Sequence, residues 1–296
     1  MSRERLLKFL VAPAVIFSFF AGVLPMLFAL RNSFYNINVR MPHLPVNFIG
    51  LENFSTILRD GRFQVALRNS FTFSFFGTMG ALGLGFLFAL ILYFYFRDKK
   101  IILTILSTLL ILPALTGQIT VAYMWDLLYH PVLGLFSHIS RSLGFGTIEF
   151  LSSRRLAMPS VIVTHVWQWS GFIALFLYAG LASLPEDFFE EAKVMGATFT
   201  QTLRYIVLPN LKGLFLAGML LKFMLSLRSF ELIRVMTGGG PGIATETADM
   251  YLYWLAVEGR GLLSRASAGA IIMLVFTIAI FLVIVNFYQK QRTEGT

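Results

Sequence analysis

Uncharged apolar runs long enough to cross a bilayer alternate with short polar segments along the whole chain. Phe9 to Leu30 carries no charge and follows Arg3, Arg5 and Lys8. At about 1.5 Å of rise per residue it spans a hydrocarbon core of about 30 Å. That length predicts a retained first span rather than a signal peptide, whose apolar region is about 7–15 residues. After a polar stretch from 31 to 68, a second run from Asn69 to Phe96 stops abruptly at Arg97, Asp98, Lys99 and Lys100. Ile101 to Trp125 predicts a third span, which Pro113 and Gly117 can kink where neighbours satisfy the freed carbonyl. Beyond a mixed loop at 126–155, Leu156 to Leu184 predicts a fourth span. A fifth apolar run follows Lys212, is interrupted by Lys222 and ends around Arg228 to Arg234. A Gly-rich loop then leads to a sixth, Ala266 to Phe287, before Lys290 and Arg292. Six spans place both termini on one side of the membrane.

Composition removes the competing classes. Hydrophobic residues make up 57% of the chain and charged residues 13%, against about 25% charged in soluble domains. The chain therefore reads as one all-α integral membrane domain. The formal charge of +9 is scattered singly between apolar runs, which suits headgroup anchoring and not nucleic acid. There is no cysteine, and the four histidines form no metal-like cluster, so no metal site is expected. No Gly-rich loop ends in Gly-Lys-Ser/Thr, and no nucleophile–base constellation is evident, so the chain is not expected to be an enzyme or to hydrolyse ATP. Lysine alone is asymmetric: Lys8, Lys99, Lys100, Lys193, Lys212 and Lys290 fall on the face shared by the termini, which predicts that this face is cytoplasmic.

The segment at 184–213 departs from the pattern of spans. Ser183 and Glu186 have the spacing of a capping box with Pro185 between them, predicting a short helix with Glu186 and Asp187 in its first turn. Phe188, Ala192 and Met195 form an apolar stripe, and Gly196 predicts a left-handed cap. Thr198 and Gln201 repeat the capping spacing, so a second helix runs from there toward Pro209.

These residues resemble the cytoplasmic loop of ABC importer permeases, whose signature is Glu-Ala-Ala, three residues, Gly, nine residues, Ile-x-Leu-Pro. The chain has Glu190, Glu191, Ala192, Gly196, Ile206, Leu208 and Pro209 at that spacing, with Glu191 where the family usually has its first Ala. The segments FIGLENFSTIL, MTGGGPGIATET and RASAGAIIMLVF are similar to the maltose-transporter-like branch for sugars and glycerol phosphate. The resemblance implies a six-helix type I ABC importer permease fold in which 184–213 carries a coupling helix that seats on an ATPase. It implies a bacterial or archaeal inner membrane, a second homologous permease, two ATP-binding subunits that use ATP and Mg, and an extracytoplasmic solute-binding protein. No cofactor is then bound by this chain. Three regions follow: 1–66 with the first span and an outer loop, a core at 67–288, and a tail at 289–296. The solute would be a sugar or related polar molecule, glycerol phosphate and polyols being alternatives. A secondary transporter would leave the 184–213 signature unexplained.

Polar groups inside spans are costly and therefore informative. His165, Gln168 and Trp169 share one face of the fourth span, as Gln118 and Tyr123 do on the third. Such faces suit either a weak sugar site or helix packing, and both readings stay open. Lys222 and Arg228 in the fifth span suit either an anionic solute or pairing and snorkelling, with Glu231 placed to partner Arg228.

Overall fold

A computed structural model describes residues 3–293, with side chains described from 11 to 286 except at 284. The predicted tail is helical to Thr293, and 294–296 lie outside the described residues. The elements in chain order are α1 (Arg3–Ser18), a π-helical turn (Phe19–Val23), α2 (Leu24–Ser33), α3 (Glu52–Arg59) and α4 (Gly61–Ile91). A π turn (Leu92–Phe96), α5 (Lys100–Leu115), α6 (Gln118–Tyr129), α7 (Leu135–Ser142), α8 (Ala157–Ala182) and α9 (Glu186–Val194) follow. Next come α10 (Phe199–Thr202), a π turn (Leu203–Val207), α11 (Leu208–Ser226), α12 (Phe230–Met236), α13 (Ala248–Tyr253), a π turn (Trp254–Glu258) and α14 (Leu263–Thr293).

Among the described residues five helices are long and apolar enough to cross a membrane: Val11–Ser33, Gly61–Phe96, Ala157–Ala182, Phe199–Ser226 and Leu263–Val283. The predicted third span is not a kinked rod. It is α5 and α6 meeting at 98°, and they make a sixth crossing if taken as one broken span. The break falls where Pro113 lacks an N–H and Gly117 resists helix. Thr116 is extended there (ψ 135°) and Gly117 leads into α6 with ψ 142°.

The chain divides into two compact units. One comprises the segment up to Val65 together with Ala248–Ile280, and the other Ala66–Thr247 with the chain from Phe281 on. In the first, the loop after α2 is tied to the start of α14: Val39 N–H donates to Gly261 O (2.8 Å) and Ile37 N–H to Ser264 Oγ (2.6 Å). Asn53 fixes α3 by donating to the carbonyls of Ser33 and Tyr35 (2.8 and 2.9 Å).

The second unit is built on α4 and α8. Their close approach depends on side-chain absence: a Cβ on Gly80 would lie 2.5 Å from Val166 Cγ2, and one on Gly85 2.9 Å from Ser170 O. On another side of α8, Gly171 lets α5 in so tightly that a Cβ would sit 1.7 Å from Leu110 O. Two apolar cores result. Leu82, Tyr93, Ile173, Leu177, Val207 and Leu211 form one, and Phe73, Val121, Trp125, Val161 and Leu232 belong to the other. The Gly-rich loop is pinned to α4 by Asn69, whose amide donates to Ile243 O and Glu246 O (both 3.0 Å).

Candidate functional site

Two polar regions of the second unit are candidates, one at the α8–α11 connection and one between the apolar cores. In the connection, Ser183 does not cap α9. It is still the last turn of α8, its Oγ donating to Gly180 O (2.7 Å), and Pro185 takes the N-cap position without a side-chain bond. The three-residue link is too short for the predicted box. Gly196 does adopt the left-handed conformation (φ +70°). It closes α9 in a Schellman motif, with Ala197 N–H bonded to Ala192 O (2.9 Å) and Gly196 N–H to Lys193 O (3.1 Å). Thr198 and Gln201 form the reciprocal box: Thr198 N–H donates to Gln201 Oε1 (2.7 Å) and Gln201 N–H to Thr198 Oγ1 (3.4 Å). The second helix does not stop at Pro209, which sits in the first turn of α11 after a π turn. It runs directly into the fifth span, so α9 is joined to a membrane helix through one capped turn.

The predicted stripe does not face one way. Ala192 is buried, but Phe188 and Met195 are exposed, and Phe189 takes the inward place. The reason is an aromatic box at the end of α4: Phe189 packs on Tyr93 (centroids 5.4 Å apart) and Phe94, and Phe94 packs on Phe199 (5.2 Å). Arg97 adds a polar clamp, donating to Tyr93 Oη (3.1 Å) and pairing with Glu186 (3.1 Å). Partial burial works against the Arg97 charge, but Tyr93, Glu186 and Asp98 outweigh it and hold its pKa above the ordinary value. Outward, Phe188, Glu191, Met195, Gln201, Tyr205 and Ile206 line an open cleft of about 360 Å³. Glu190, Leu208 and Pro209 are exposed. Sequence reasoning missed Tyr93, Phe94, Arg97 and Phe189; the Phe188–Phe189 doublet and the first charge after a long apolar run were the available signals.

Between the cores, α8 and α11 bring His165, Trp169 and Lys222 together, with Gln168 buried nearby on α8. Lys222 is 2% exposed. Its Nζ lies within hydrogen-bond distance of His165 Nε2, 3.0 Å from Ser226 Oγ and 4.5 Å from the Trp169 ring centroid. It neither snorkels nor forms an ion pair among the described residues. Ser226, which sequence reasoning did not single out, also bonds His165 Nε2 (3.0 Å) and its own helix at Lys222 O (2.8 Å). Gln168 donates to Thr116 O (3.1 Å), a carbonyl freed by the α5–α6 break. His165 Nδ1, Gln168 Oε1 and Trp169 Nε1 are buried with no hydrogen-bond partner among the described residues. The other predicted pathway residues do not join them. Gln118 begins α6 half-buried, Tyr123 is exposed on α6, and Arg228 is exposed beyond α11 without an ion pair to Glu231.

A family model for the binding-protein-dependent transport system inner membrane component matches residues 81–293. The chain belongs to this family. It is a multi-pass transport subunit rather than an enzyme. The trehalose/maltose transport system permease protein MalF of Thermococcus litoralis is 31% identical over 238 residues, covering 80% of this chain and 78% of that protein. The fold is that of type I ABC importer permeases. It superposes on a chain of a bacterial ABC transporter involved in import of the acidic polysaccharide alginate with TM-score 0.83 at 22% identity, covering 97% and 96% of the two chains. A second solved alginate transporter, in complex with an alginate pentasaccharide-bound periplasmic protein, gives TM-score 0.79 at 22% identity over 96% and 93%. Among the described residues no group of His, Cys, Asp and Glu could hold a metal ion.

Proposed function

We propose that this chain is one of two permease subunits of an ATP-driven importer for a sugar or related polar solute, with both termini cytoplasmic, 1–66 holding the N-terminal cytoplasmic segment, first span and extracytoplasmic loop, 67–288 the core and 289–296 the cytoplasmic tail. Of two ATP-binding subunits, one seats on 184–213 of this chain, and a solute-binding protein delivers cargo on the opposite face. The observation that carries this reading is the build of α9. A lever transmits displacement only if its own conformations are few. Here a Schellman cap, a capping box and the Phe189 box fix α9 while Phe188, Val194 and Met195 stay exposed. Glu190, Glu191, Ala192, Gly196, Ile206, Leu208 and Pro209 form or frame the docking face. The partners supply ATP and Mg; this chain contributes the stiff element that their closure moves.

For the pathway, support comes from the three unsatisfied polar atoms of His165, Gln168 and Trp169, which hydroxyl groups of a passing sugar can bond while its C–H face stacks on an indole. Lys222 favours a second reading in which the solute bears a negative charge, since no carboxylate neutralises it among the described residues.

The absence of cysteine makes the coupling reading directly testable. A Met195→Cys subunit should cross-link to a single-cysteine ATPase in membranes, and Gly196→Pro should abolish uptake while the subunit remains inserted. Normal uptake by Gly196→Pro, or labelling of Met195→Cys only from outside the cell, would overturn the proposal.

A further inference from the structure

The first unit holds a polar pocket that the coupling and pathway residues leave unused. It measures about 260 Å³ and is lined by Asp60, Arg62, Tyr251, Trp254, Arg260 and Arg265, among others. Its carboxylate is already engaged. Asp60 Oδ1 accepts the N–H groups of Arg62 (2.8 Å) and Phe63 (3.4 Å), and Oδ2 accepts the hydroxyl of Tyr251. Arg62 Cζ lies over the Trp254 ring, 4.0 Å from its centroid, and Trp254 stacks on Tyr251. Arg260 and Arg265 are different: neither makes a hydrogen bond, ion pair or ring contact among the described residues. A cation in the first turn of a helix is opposed by the macrodipole, so Arg265 does not serve α14.

The backbone that presents Arg260 is nevertheless tightly held. Gly259 N–H bonds Trp254 O (2.6 Å), Leu262 N–H bonds Leu255 O (3.0 Å), and Gly261 O accepts from Val39. Arg40 donates to the carbonyls of Val257 (3.3 Å) and Glu258 (2.7 Å) on the approach. Gly261 has φ +68°, and a Cβ there would meet Arg40 Cγ at 2.7 Å. Arg260 on this held loop and Arg265 in the first turn of α14 present two unpaired guanidinium groups from fixed backbone, so only side-chain ordering remains to be lost when an anion binds.

We infer that this pocket receives an acidic side chain of the solute-binding protein, with Arg260 and Arg265 as its partners. The inference rests on the orientation and the delivery protein proposed above. A protein carboxylate fits better than an anionic headgroup because the lining is of both signs and continues into a second polar cleft. That cleft is lined by Glu52, Asn53, Thr56, Ser264 and Arg265. The loop beside it leaves Phe48 and Leu51 two-thirds exposed, apolar anchors of the kind that flank charged contacts at protein interfaces.

The test uses the complete transporter in lipid nanodiscs, titrated with the solute-binding protein encoded with it, ATPase rate being read. Arg260→Glu/Arg265→Glu should raise the half-saturating concentration of binding protein about tenfold or more at low salt, with the maximal rate kept within twofold. Arg260→Gln/Arg265→Gln should raise it about threefold, and the difference from wild type should shrink as salt screens it. An Asp or Glu to Lys change on the binding protein should rescue the reversed pair. Copurification with the ATPase checks assembly, and if the reversed pair fails to assemble, the Gln pair decides. An unchanged half-saturation, or an effect that appears only with phosphatidylglycerol and leaves binding-protein affinity alone, would overturn the inference. A wild-type complex unresponsive to the binding protein would instead overturn the proposed function beneath it.

Discussion

The α9 connection and the Lys222 cluster are both polar, yet they treat their polar groups in opposite ways. In the connection, the C-terminal end of α9 and the start of α10 are capped, charges face solvent, and the outer face of α9 is exposed. In the cluster, a lysine and a histidine are withdrawn from water, and three polar atoms on α8 have no partner among the described residues. In the first region the chain satisfies its own polar groups; in the second it leaves three of them unmet. The cost of the second arrangement, about 1–3 kcal/mol for each unmet buried group, has to be offset by the apolar cores on either side. His165 and Trp169 sit between those cores along α8, with Val161 in one and Ile173 in the other.

The sharpest way to break the comparison is to remove that support. Gly171→Val should force α5 away from α8, because even a Cβ meets the Leu110 carbonyl at 1.7 Å. We expect a loss of several kcal/mol, about 3 or more, seen as failure to survive detergent extraction as a monodisperse species. A thermally unaltered Gly171→Val protein would show that the two helices do not need this approach. Next in size, Lys222→Met should leave stability equal or raise it by about 1–4 kcal/mol, since a buried amine with no carboxylate partner is replaced by an apolar chain of similar length. The measurement is thermal unfolding in detergent, paired with uptake. A strongly destabilised Lys222→Met would mean that the cluster is a structural brace after all. The smallest effect belongs to the connection: Thr198→Ala should cost about 0.5–2 kcal/mol locally. Faster amide exchange confined to 196–203 would report it, with insertion unchanged. Exchange no faster than wild type would remove the capping box from the account of α9 stiffness.

The parts legible in the sequence are those governed by neighbours within a turn or two. The spans are runs of uncharged residues, and the end of α9 is a glycine whose left-handed backbone other residues resist. The Thr198–Gln201 box is a three-residue pattern. Even here short range misleads when two local rules compete: Ser183 had the spacing to cap α9, but α8 claimed it first.

The chain by itself therefore determined that there would be membrane helices, and that a glycine-capped turn would separate the fourth from the fifth. Tertiary structure alone decided that Phe189 rather than Phe188 would face the bundle. It also decided that Pro113 and Gly117 would give a 98° break with Gln168 at its open carbonyl, and that Lys222 would meet His165 from 57 residues away. The reason is range: hydrophobic run length and backbone propensity act over a few bonds. Which face of a helix is buried, and what a buried charge touches, depends on the packing of segments that adjacent sequence does not encode.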